Sequence, residues 1–133
     1  MKTCAFPVNE PRRFSVRDCW VEDVERKRDK LILTFDDDGF YDEDVRCPGG
    51  RMVFVLNDAS DCIYVKKNII RPSHTREKYI PFDKFCRIVR KNRFCIHEVL
   101  LGYHSGDVEI RGFAPFDFEL ELSAVKEIRF EYD

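Results

Sequence analysis

Cys95 and His97 stand two positions apart in an apolar, strand-like run, with His104 following beyond a turn. This is the part of the chain where thiol chemistry or zinc binding is easiest to imagine. Residues at i and i+2 of a strand share a face, but strand rise keeps them about 7 Å apart, too far for direct proton transfer. No third group that would orient the histidine can be identified from spacing alone. Zinc would need two further ligands from Cys86, Cys62 or His74, and no spacing sets those residues together. Core or rim roles are therefore expected, with no catalytic residue, no metal and no cofactor assigned.

The acidic cluster Asp36, Asp37, Asp38, Asp42, Glu43 and Asp44 surrounds Gly39. Oxygen-rich loops bind calcium, but with Gly39 as the sixth loop position the first ligand falls on Thr34 and the twelfth on Val45. The register fails, and a hairpin turn at Asp38-Gly39 accounts for the composition. Pro48-Gly49-Gly50 lacks the Lys-Ser or Lys-Thr of a phosphate-cradling loop and also reads as a turn.

Charge supplies the remaining candidates. Residues 66–93 hold ten basic against two acidic residues, and residues 18–44 hold eleven acidic against four basic ones. The candidate binding residues of the basic stretch are Lys84, Arg87, Arg90, Lys91 and Arg93, with Lys84, Arg87 and Lys91 on one helical face. A second candidate surface carries Glu119 and Glu121, with Glu127 and Glu131 beside them and only Lys126 and Arg129 as nearby cations. Like charges on adjacent strands repel, so this face is expected to meet a basic region, preferably of a partner.

The elements that must position these residues are mostly strands. Leu31, Leu33 and Phe35, then Met52, Phe54 and Leu56, recur with a period of two. The same period links Phe116, Phe118, Leu120 and Leu122, and again Ile128, Phe130 and Tyr132. These last two runs, separated only by Ser123-Ala124, predict an antiparallel hairpin. Phe82, Phe85, Cys86 and Val89 have helical spacing after Pro81, and Asp83 and Arg90-Lys91 suit the two ends of the helix dipole. A helix over 81–91, closed by Asn92 in a left-handed conformation, is expected. Five strands should precede it and four follow, with residues 71–78 as a mobile loop. The predicted fold is mainly β, a β-sandwich or a partly open antiparallel β-barrel with one amphipathic helix, in a single domain spanning 1–133.

Composition sets the outer bounds. The chain has 133 residues, 44% hydrophobic and 14% aromatic, with a net charge of −2. That is enough to bury roughly two-thirds of the unfolded surface and far from a disordered composition. No apolar run reaches the ~18 residues of a membrane-spanning helix, and Pro7, Asn9 and Glu10 interrupt the start where a signal peptide would be apolar. A soluble cytoplasmic protein with six reduced thiols is expected. The favoured function is a non-catalytic binding domain for a protein partner or a second copy of itself. The alternatives are a polyanion or nucleic-acid binder working through residues 66–93, and a small-molecule-binding barrel or enzyme with an aromatic-lined cavity. A pI near 6.0 argues against nucleic acid.

Overall fold

A computed structural model describes residues 2–7, 13–57, 63–102 and 106–133. Their order is β1 (Lys2–Pro7), β2 (Phe14–Ser15), β3 (Trp20–Lys27), β4 (Lys30–Phe35), β5 (Phe40–Asp42), β6 (Val45–Cys47), β7 (Arg51–Leu56), β8 (Ile63–Arg71), β9 (His74–Ile80), α1 (Phe82–Asn92), β10 (Phe94–Leu101), β11 (Val108–Phe113), β12 (Asp117–Leu122) and β13 (Val125–Tyr132). Among the described residues nine strands, rather than five, precede the helix. The extra ones include the very short β2, β5 and β6, whose two or three residues show no periodicity.

Ten strands form one open antiparallel sheet in the order β1-β13-β7-β4-β3-β10-β11-β12-β8-β9, and β2-β5-β6 form a small second sheet. The large sheet does not close into a barrel, which agrees with the mainly β expectation with one helix. One contiguous core collects inward residues from across it, including Phe130 on β13, Phe54 on β7, Leu33 on β4, Ile110 on β11 and Leu120 on β12. The central strands β4 and β7 are apolar on both faces, because Ile32, Val53 and Val55 make a separate buried cluster opposite the main core. Much of the aromatic content closes on itself: Phe14 stacks on Phe130 at 4.5 Å, and Phe40 sits 5.3 Å from both Phe35 and Phe130.

The helix packs on β3 and β8, strands separated in the sheet order by β10, β11 and β12, and so lies across one face of the sheet. Phe85, Cys86 and Val89 are buried, as the helical spacing implies, while Phe82 is only half-buried. Phe85 meets Phe94 at 5.4 Å and Phe118 at 5.3 Å. Pro81 is the extended N-cap residue rather than the first helical one, and Asn92 remains helical, its Nδ2 donating to Ile88 O. The positive φ falls one residue later, at Arg93, whose N–H closes on Val89 O at 2.7 Å.

Two connections differ from the sequence reading. β12 and β13 do not form a hairpin: β12 lies between β11 and β8, and β13 between β1 and β7. A two-residue hairpin favours a primed turn, and here Ala124 alone has positive φ. The Ser123-Ala124 break instead turns a corner, which Val125 N→Gly106 O and Asn57 N→Ala124 O bonds pin. The expected loop at 71–78 is the tip of a β8–β9 hairpin, with Arg71 paired to His74. β9 is an edge strand, and exposed charged residues along it are the usual protection of such an edge.

Cys4, Cys19, Cys47, Cys86 and Cys95 are free thiols, while Cys62 and His104 lie outside the described residues. Among the described residues, no helix is long and apolar enough to cross a membrane.

Candidate functional site

The amphipathic helix leaves Lys84, Arg87 and Lys91 exposed at i, i+3 and i+7, with Ile88 half-buried beside them at the edge of the core. These four side chains form one wall of a groove of about 410 Å³. The opposite wall is Pro115-Phe116 in the β11–β12 turn, and Lys67 of β8 joins it. Lys67 is the register partner of Phe118, beyond the last buried residue of its face, so its stem leaves the core and its ammonium reaches the surface. That ammonium lies 3.8 Å from the centroid of the Phe116 ring. Phe116 is 48% exposed; it precedes β12 instead of belonging to its buried face. Among the described residues, Lys67, Lys84, Arg87 and Lys91 form no ion pair with a carboxylate.

The other two basic candidates serve the fold. Arg90 Nε lies 2.7 Å from Asp23 Oδ1, and Arg90 Nη2 donates to Val24 O, tying α1 to β3. Arg93 Nη1 sits 3.3 Å from Oδ2 of Asp36, which is only 6% exposed. Asp36 also accepts from the Asp38 N–H and so closes the acidic turn at Gly39.

Glu119 and Glu121 find their cations within the chain. Lys66 Nζ lies 3.0 Å from Glu121 Oε1 and 3.9 Å from Glu119 Oε2, and Asn68 Nδ2 donates to Glu119. Arg111 adds contacts to Glu98, Glu109 and Glu119. The Glu121 hydrogen bond is the leading reason that the Lys66 ammonium is held well above the usual lysine range. The preference for a partner's cations on this face is corrected: the basic stretch itself supplies Lys66, because β8 pairs directly with β12. Beside this network, Tyr64, Leu100, Asp107, Glu109, Glu121 and Ser123 line an open depression of about 530 Å³.

Cys95 and His97 also differ from expectation. A ligand atom from each, together with one from Asp18, lies within 4.8 Å of the other two. Regular strand geometry hid this arrangement, because β10 is irregular between Ile96 and Glu98 and leaves His97 without a register partner on β11. Burial, then the negative charge of Asp18, pushes the Cys95 thiol up.

Sequence reasoning missed Lys67, Phe116 and Asp18 as site residues. Lys67 could have been found by continuing the period of two through β8. Phe116 and Asp18 depend on where turns place them, which no periodicity encodes. No protein-family model, no curated protein and no solved structure matches the chain.

Proposed function

We propose that the protein is a non-catalytic binding domain that docks an acidic segment of a partner protein in the groove between α1 and Pro115-Phe116. The observation that carries this reading is the convergence of Lys67, Lys84, Arg87 and Lys91, none ion-paired among the described residues, on one groove. Elsewhere the same basic stretch is matched internally, at Lys66, Arg90 and Arg93. Four cations held close together repel one another, and a bound carboxylate-rich segment relieves that repulsion. Phe116 and Ile88 supply apolar contact for the stems of acidic side chains.

A peptide suits the groove better than nucleic acid. A volume of about 410 Å³ accommodates a few side chains. The net charge of −2 and the carboxylates on the outer faces oppose the long run of phosphate contacts that nucleic-acid binding requires.

The test is fluorescence anisotropy with three labelled probes of equal length: oligo-glutamate, oligo-lysine and single-stranded oligo-uridylate. The reading predicts saturable, salt-sensitive binding of oligo-glutamate that is lost in Lys84→Glu/Lys91→Glu. Tighter binding of oligo-uridylate would move the protein to the polyanion class. Absence of oligo-glutamate binding at low salt would remove the proposal.

A further inference from the structure

The segment before β3 carries an unusual backbone. Asp18 has φ of 62°, a left-handed conformation that Asp tolerates better than most residues. Two hydrogen bonds hold this segment against β10: Asp18 N–H donates to Ile96 O at 2.7 Å, and Ile96 N–H donates to Cys19 O at 3.0 Å. Trp20 then faces Cys95 in register. Residues 18–20 therefore continue the β3–β10 ladder past its regular end, and Asp18 is fixed beside the irregularity at His97. His97 lies within that irregularity, without a register partner on β11, and its ring stands near Cys95.

The result is one carboxylate, one thiol and one imidazole with ligand atoms mutually within 4.8 Å. We infer that Asp18, Cys95 and His97 form a binding site for one divalent transition-metal cation, with zinc the best match to this donor set. Zinc binds oxygen and nitrogen at about 2.0–2.2 Å and sulfur at about 2.3 Å, so tetrahedral ligands stand roughly 3.3–3.8 Å apart. Modest side-chain rotation closes the remaining distance. Sulfur and imidazole nitrogen exclude calcium and magnesium as preferred occupants, since those ions select oxygen.

A cation bound there neutralises the Asp18 carboxylate and favours the Cys95 thiolate, with the Cys95 proton passing to solvent. Gly112 brings the β11 backbone unusually close, because a Cβ there would stand 2.2 Å from Cys95 O. Trp20 and Phe113 are the register partners of Cys95 on the neighbouring strands, so both stand on the same face of the sheet as its side chain. Three protein ligands leave a fourth position for water, the pattern of an open site rather than a closed structural one.

The experiment uses the full chain freed of metal by chelation, then titrated with cobalt(II) alone and with zinc(II) alone. The site predicts one cobalt per chain with thiolate-to-cobalt charge-transfer absorption, displaced by one equivalent of zinc, and a rise in Tm with zinc. Cys95→Ser should lose the absorption, and His97→Ala, at an exposed position, should lose the zinc-dependent rise in Tm while keeping the fold. Cys86→Ser should keep both signals. Absence of stoichiometric cobalt binding overturns the inference. So does thiolate absorption that survives Cys95→Ser, or a zinc-dependent Tm rise that survives His97→Ala.

Discussion

The Lys67 ammonium lies 3.8 Å from the centroid of the Phe116 ring, joining β8 to the β11–β12 turn across the mouth of the basic groove. Both residues are surface residues, so their pairing shapes the groove more than it supports the fold. Phe116→Ala is expected to weaken oligo-glutamate binding several-fold while changing stability by less than about 1 kcal/mol. Anisotropy titration and urea melts of the same sample measure the two effects.

Phe85 anchors the helix to the sheet, fully buried between Phe94 and Phe118. Phe85→Ala is expected to cost ~3–5 kcal/mol, the usual range for truncating a core aromatic. A shift of the urea midpoint with unchanged slope gives the value. Because the basic groove depends on α1, peptide binding should fall in step with the folded fraction.

Pairing of Lys66 with Glu121 makes the acidic face a structural feature. Glu121→Lys places two ammonium groups together and leaves Lys66 without its closest partner. A loss of about 1 kcal/mol or more is expected, with oligo-glutamate affinity unchanged because the groove lies elsewhere. Chemical denaturation at low and high salt checks this, and salt should narrow the difference.

Alkaline pH should destabilise the protein through its thiols. Burial pushes Cys19 and Cys86 up to about 11, whereas unfolded thiols titrate near ~8.5. The folded state therefore holds more protons between these values. The thiol contribution is fully present below pH ~8.5 and is lost as pH rises through about 11. Denaturant midpoints across this window should fall, and Cys19→Ala/Cys86→Ala should show a shallower decline.

Local features of this fold were legible where periodicity governs them. The apolar stripe of Phe85, Cys86 and Val89 marks the helix, and the alternation in β4, β7, β12 and β13 marks strands and their inward faces. Pairing partners were not legible. β12 and β13 have matching patterns because both line the same core, and the pattern does not distinguish facing strands from adjacent ones. Residues 71–78 carry the pattern of a loop because the exposed edge strand β9, which takes up most of them, has no apolar alternation to reveal it. The helix face of the groove was visible as Lys84, Arg87 and Lys91, but Arg90 and Arg93 could be separated from them only once Asp23 and Asp36 were placed. The Asp18, Cys95 and His97 cluster depends on a strand irregularity and a left-handed residue, neither of which leaves a periodic trace.

Amide chemical-shift mapping of the isotopically labelled full chain, titrated with oligo-glutamate, tests the proposed groove most directly. The account predicts concentration-dependent shifts confined to Lys67, to Lys84, Arg87, Ile88 and Lys91 of α1, and to Pro115-Phe116 through their neighbouring amides, all reversed by added salt. Shifts centred instead on the Tyr64 and Leu100 depression, or none above those caused by salt alone, would contradict it.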